Sequence, residues 1–126
     1  MNAKRDAKPR VLVYSCSGCS DVAQLANEAA LRLDHAGVAE MSCIAGVGGG
    51  VPALVKTARS GRPIMAIDGC RLHCVLASLE RVGVQPSEHV RLYERGYRKR
   101  RGLRYSEADA EHVVAELAER IAALDS

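Results

Sequence analysis

Apolar and polar positions fall in blocks whose period switches repeatedly between that of a strand and that of a helix. "RVLVYS" (10–15) is a β-branched apolar run and reads as a first strand. "CSGCSD" turns the chain, after which Val22, Leu25, Ala26, Ala29 and Leu33 recur at helical spacing and Gly37 closes the helix. "VAEMSCIAG" (38–46) reads as a second strand, and "VGGGVP" leads into a helix over "ALVKTARSG" that Gly61 stops. "RPIMAID" (62–68) is a third strand, apolar on both faces as buried parallel strands are. "RLHCVLASLERVG" gives a third helix ending at Gly83, and "EHVRLYE" (88–94) a fourth strand. After the polar break "RGYRKRRGLRY", Ser106 with Asp109 three residues on opens the last helix as a capping-box variant. Val114, Leu117, Ile121 and Leu124 form its expected buried stripe.

Four strand–helix alternations predict a three-layer, Rossmann-like α/β sandwich with a four-stranded parallel sheet, most simply in the order 2-1-3-4. The 126 residues suit one domain, expected over 10–126 behind a disordered basic tail at 1–9, "MNAKRDAKP". The core must be aliphatic, since the chain holds no Phe and no Trp. A net charge of +3 does not by itself imply a nucleic-acid partner. The first ten residues lack the apolar stretch of a signal peptide, and no later segment approaches the roughly 18 apolar residues of a membrane span. The expected setting is therefore cytoplasmic, without a membrane partner, where five cysteines are better metal or redox candidates than disulfides.

The positions of those cysteines carry the chemistry. Cys16 follows the first strand, Cys43 lies near the end of the second, and Cys70 follows the third. Strands of a parallel sheet end on one edge, and that edge is where such folds bind ligands. Cys74 would lie one turn into a helix that Cys70 opens, and Cys19 lies in the turn after Cys16, so the pattern draws all five thiols toward one corner. A single cysteine there is ordinarily a small core hydrophobe; the convergence of five is what calls for a ligand.

Clustered thiols suit a tetrahedral Zn²⁺ site, with Zn–S bonds of about 2.3 Å and sulfurs roughly 3.5–4 Å apart. They also suit an iron–sulfur cluster. A third possibility is a thiol-dependent enzyme, of redox or phosphoryl/arsenate type, with Cys16 as nucleophile before a helix N-terminus. Cys16-Ser17-Gly18-Cys19 has the spacing of a redox pair, yet the loop lacks the Arg that a phosphatase needs for its phosphate. A lone nucleophile also leaves Cys43, Cys70 and Cys74 unexplained, which favours metal binding.

Together "VYSCSG", "MSCIAGVGG" and "AIDGC" followed by x3-Cys resemble the DGC-domain family of zinc-binding proteins, over about Val11 to Val84. The resemblance implies a zinc site built from Cys16, Cys43, Cys70 and Cys74 and brings no reaction with it; Cys19 departs from the family pattern and is open as a fifth or substitute ligand, an exchange partner or a bystander.

Other residues are weighed beside these. Asp68 either accepts a backbone hydrogen bond in its turn or orients the Cys70 loop. His73 is expected to face away from the thiols, and Arg71 would offset thiolate charge. Gly48, Gly49 and Gly50 make a flexible turn or a backbone cradle for an anion at a helix start. The basic run Arg98, Lys99, Arg100, Arg101, with only Tyr97 and Tyr105 interleaved, reads as a solvated loop rather than a nucleic-acid surface.

Overall fold

The computed structural model describes residues 9–125, so the tail expected at 1–9 lies, but for Pro9, outside the described residues. Four strands, β1 (Leu12–Ser15), β2 (Glu40–Met41), β3 (Ile64–Asp68) and β4 (Glu88–Arg91), form one sheet in the order β2-β1-β3-β4. Every pairing is parallel, as the strand–helix alternation requires. The central strands β1 and β3 are buried at every position, which explains why both read as unbroken apolar runs.

Among the described residues, five α-helices cover the two faces. Helix α1 (Asp21–His35) packs against α5 (Glu107–Asp125) on one side. Helices α2 (Ile44–Gly48), α3 (Pro52–Ala58) and α4 (Cys74–Arg81) share the other. The predicted stripe of α1 is buried in full, and Arg32 ties that helix to α5 by a bidentate pair with Glu107 at 2.7 and 2.8 Å. On α5 the buried stripe is Ala110, Val113, Leu117 and Ile121, so the helix is rotated from the expected face and Val114 and Leu124 sit only at its margin. Ser106 does cap it, its Oγ accepting the Asp109 N–H at 3.0 Å.

Three expectations for the segments around the thiols need correction. The second strand is two residues long rather than nine, because residues 44–48 coil into α2. Gly46 lets α3 close against that helix, since a Cβ there would overlap the Leu54 side chain. The glycine run therefore ends α2 before the chain enters α3, with Gly50 in the left-handed region at φ 76°. The helix expected from residue 71 starts only at Cys74. Among the described residues, no helix is long and apolar enough to cross a membrane.

Candidate functional site

The β1 and β3 ladder runs from Leu12–Ile64 to Ser15–Ile67 and continues with the Cys16 N–H donating to the Ile67 carbonyl at 3.1 Å. Cys16 is thereby fixed at the carboxyl edge beside the Gly69 turn. The Gly69 amide donates to Cys16 Sγ at 3.3 Å. Only glycine permits this approach: a Cβ at 69 would stand 2.6 Å from the Val22 carbonyl oxygen, in the first turn of α1.

Asp68, at 1% exposure, ends β3 and works as a remote cap. Its carboxylate accepts the N–H groups of Val75 and Leu76 at 2.9 and 3.2 Å, two of the orphan donors at the start of α4. It also accepts from His89 Nε2 at 2.8 Å. Asp68 thus accepts from backbone amides at the start of α4 rather than within its own turn, and so spans the intervening Cys70 loop. The cap also explains why α4 starts at Cys74, which is the first residue of the helix rather than one turn inside it.

His73 immediately precedes it, in the left-handed region at φ 55°, a conformation uncommon outside glycine. Its Nε2 shares a hydrogen bond with the Tyr93 hydroxyl at 2.7 Å, and its ring packs T-shaped with the His89 ring, centroids 4.8 Å apart. Arg71 lies over the Tyr93 ring at 4.8 Å.

The electrostatics separate the thiols. Burial pushes Cys16 up to about 11; the Gly69 hydrogen bond opposes this only in part, and Asp68, Cys70 and Cys74 add to the rise. Cys70 follows Gly69 in the same turn, and Cys74 is the first residue of α4. Cys70 is half-buried and Cys74 exposed. Cys43, also exposed, sits on the other flank of β1 at the start of α2. It lines a cavity of about 390 Å³ with Ser15, Ser17 and Ser42. Cys19 is exposed, with Arg101 Nη2 at 3.9 Å, and that contact, reinforced by Lys99, lowers it below the ordinary thiol range. The five cysteines are thus spread along the edge, with Cys16, Cys70 and Cys74 at its centre. Among the described residues, no three His, Cys, Asp or Glu groups are arranged as a ready-made metal site.

Sequence reasoning missed the role of the basic run. Residues 96–105 fold back over the first turn of α1 instead of standing free. Asp21, at 5% exposure, accepts from Arg100 twice, through the backbone N–H and Nε, each at 2.7 Å. Ser20 and Arg101 form an antiparallel bridge beside it. The signal lay in Asp21 itself, an acid at the N-terminus of an otherwise apolar buried helix turn.

The model of the DGC domain matches residues 12–117. The chain belongs to the DGC-domain family. The matched span contains Asp68, Gly69 and Cys70 in succession, and the geometry separates what each does. Asp68 caps a helix, Gly69 allows the close approach and turns its N–H to sulfur, and Cys70 supplies a thiol. Among curated proteins, the anaerobic and virulence modulator AnvM of Pseudomonas aeruginosa PAO1 is 62% identical over 109 residues, 86% of this chain and 83% of that protein. No solved structure matches.

Proposed function

We propose that this DGC-domain protein is a modulator, as its relative AnvM is named, whose strand-end thiols bind Zn²⁺. Cys16, Cys70 and Cys74 would supply the first three sulfurs, with Cys43 from the β2 side completing the set and Cys19 as the substitute. The observation that carries this reading is the state of Cys16: a buried thiol whose ionisation is opposed by burial, by a carboxylate and by two neighbouring thiols. A bound divalent cation would supply the positive charge that offsets the carboxylate and the neighbouring thiols, because ligation needs thiolates. The Gly69 N–H already points at the sulfur that would carry negative charge.

The same observation weighs against Cys16 as an enzyme nucleophile. A thiol pushed up to about 11 holds very little thiolate at neutral pH. An iron–sulfur cluster would use the same donors and would show itself by visible colour. Modulation needs no turnover, so a structural or exchangeable metal suffices. The test is zinc titration of the wild type, Cys19→Ser and Cys70→Ser at neutral and mildly acidic pH. The reading expects binding that weakens on acidification, persists in Cys19→Ser and falls sharply in Cys70→Ser. Equal loss in both variants would make Cys19 a ligand, and absence of binding in the wild type would end the zinc reading.

A further inference from the structure

We infer that His89 is a positioning residue for the thiol edge, holding the segment from Cys70 to Cys74 at both of its ends; this rests on the reading of that edge as a thiol site. His89 belongs to β4 and pairs in register with Ala66, two residues before Asp68 on the same face of β3. From there its Nε2 donates to the Asp68 carboxylate at 2.8 Å, just before Gly69 and Cys70. The same ring packs T-shaped with the ring of His73, just before Cys74, centroids 4.8 Å apart.

The two contacts act on different parts of one loop. Asp68 needs its orientation fixed because its two oxygens serve separate amides, Val75 to Oδ1 and Leu76 to Oδ2. Oδ2 is the atom His89 also reaches. His73 needs support because its backbone is held at φ 55°, where a residue with a Cβ is strained. Its ring is held by the Tyr93 hydroxyl and by the T-shaped contact with the His89 ring. Without His89, the carboxylate is free to rotate off the α4 amides and His73 to relax. Both motions change the spacing between the Cys70 and Cys74 sulfurs. His89 therefore acts on the thiols through Asp68 and His73.

The test compares two near-isosteres in the full chain. His89→Gln places an amide N–H where Nε2 lay, whereas the shorter His89→Asn does not reach Asp68. Hydrogen exchange of the Val75 and Leu76 amides is followed in each, and Cd²⁺ is titrated by its ultraviolet sulfur-to-metal absorption. The expected result is exchange about tenfold faster, and Cd²⁺ binding weaker by a similar factor, in His89→Asn, with His89→Gln staying within about threefold of wild type. Wild-type exchange and binding in His89→Asn would overturn the inference, as would equal losses in both variants, which mark a packing role only. Faster exchange with unchanged Cd²⁺ binding would also overturn it, since the thiols would then not depend on the helix start. If the wild type takes no Cd²⁺, the metal reading fails separately, and the exchange comparison still decides whether His89 holds the loop.

Discussion

Gly69 donates its amide to the sulfur of Cys16 at 3.3 Å while leaving no room for a Cβ beside the Val22 carbonyl of α1. One residue therefore joins β3, β1 and α1 where their ends meet, and it can do so only without a side chain.

Gly69→Ala accordingly forces backbone apart rather than a flexible side-chain tip. The expected cost is about 2–3 kcal/mol of stability, by urea denaturation, together with faster alkylation of Cys16 as its cover lifts. Gly50→Ala is a useful contrast: open space surrounds that position, so its cost comes from the positive φ alone, about 1 kcal/mol.

Thiol reactivity in the metal-free protein should be ordered by position along the edge. Cys19 alkylates first, with a midpoint below its ordinary 9.0 because Arg101 and Lys99 face it, and Arg101→Ala returns the midpoint toward that value. Cys16 alkylates last, with a midpoint of about 11. Stability follows from the same shift. A thiol whose folded value lies above its unfolded 9.0 binds more protons when folded, so its contribution is complete below pH 9 and is lost as pH rises toward 11. Cys16→Ala should flatten the fall in stability across that window, measured by denaturant titration at successive pH values.

The loop over α1 should depend on Asp21 more than on Arg100. Asp21 accepts three hydrogen bonds, two of them from backbone N–H groups that remain in any side-chain variant of its partners. Asp21→Ala is expected to cost about 2–3 kcal/mol, whereas Arg100→Ala, removing a half-exposed partner, costs about 1 kcal/mol. Thermal or urea unfolding of the two variants checks the order, and a larger cost for Arg100→Ala would contradict it.

The sheet was legible because its central strands advertise themselves. "VLVYS" and "IMAID" are apolar on both faces, and short glycine-stopped helices between them permit few topologies. Residues 42–48 were not legible: "SCIAGVG" has strand-like composition, and its helix exists because Gly46 lets Leu54 of α3 close on it. The start of α4 was hidden for a related reason, since its cap is Asp68 at the end of β3 rather than a neighbouring residue. The placement of thiols at one edge was readable from strand ends alone. Their division was not, because Cys19 is turned toward Arg101 by a loop folding back from 82 residues away.

X-ray absorption at the zinc edge decides whether sulfur at this edge ligates zinc, as proposed. The wild-type protein, loaded with one equivalent of Zn²⁺, should show a sulfur shell at about 2.3 Å, three or four sulfurs strong, that shrinks by about one sulfur in Cys74→Ser. A first shell of nitrogen and oxygen only, or a sulfur count unchanged across the Cys16, Cys43, Cys70 and Cys74 variants, would contradict it.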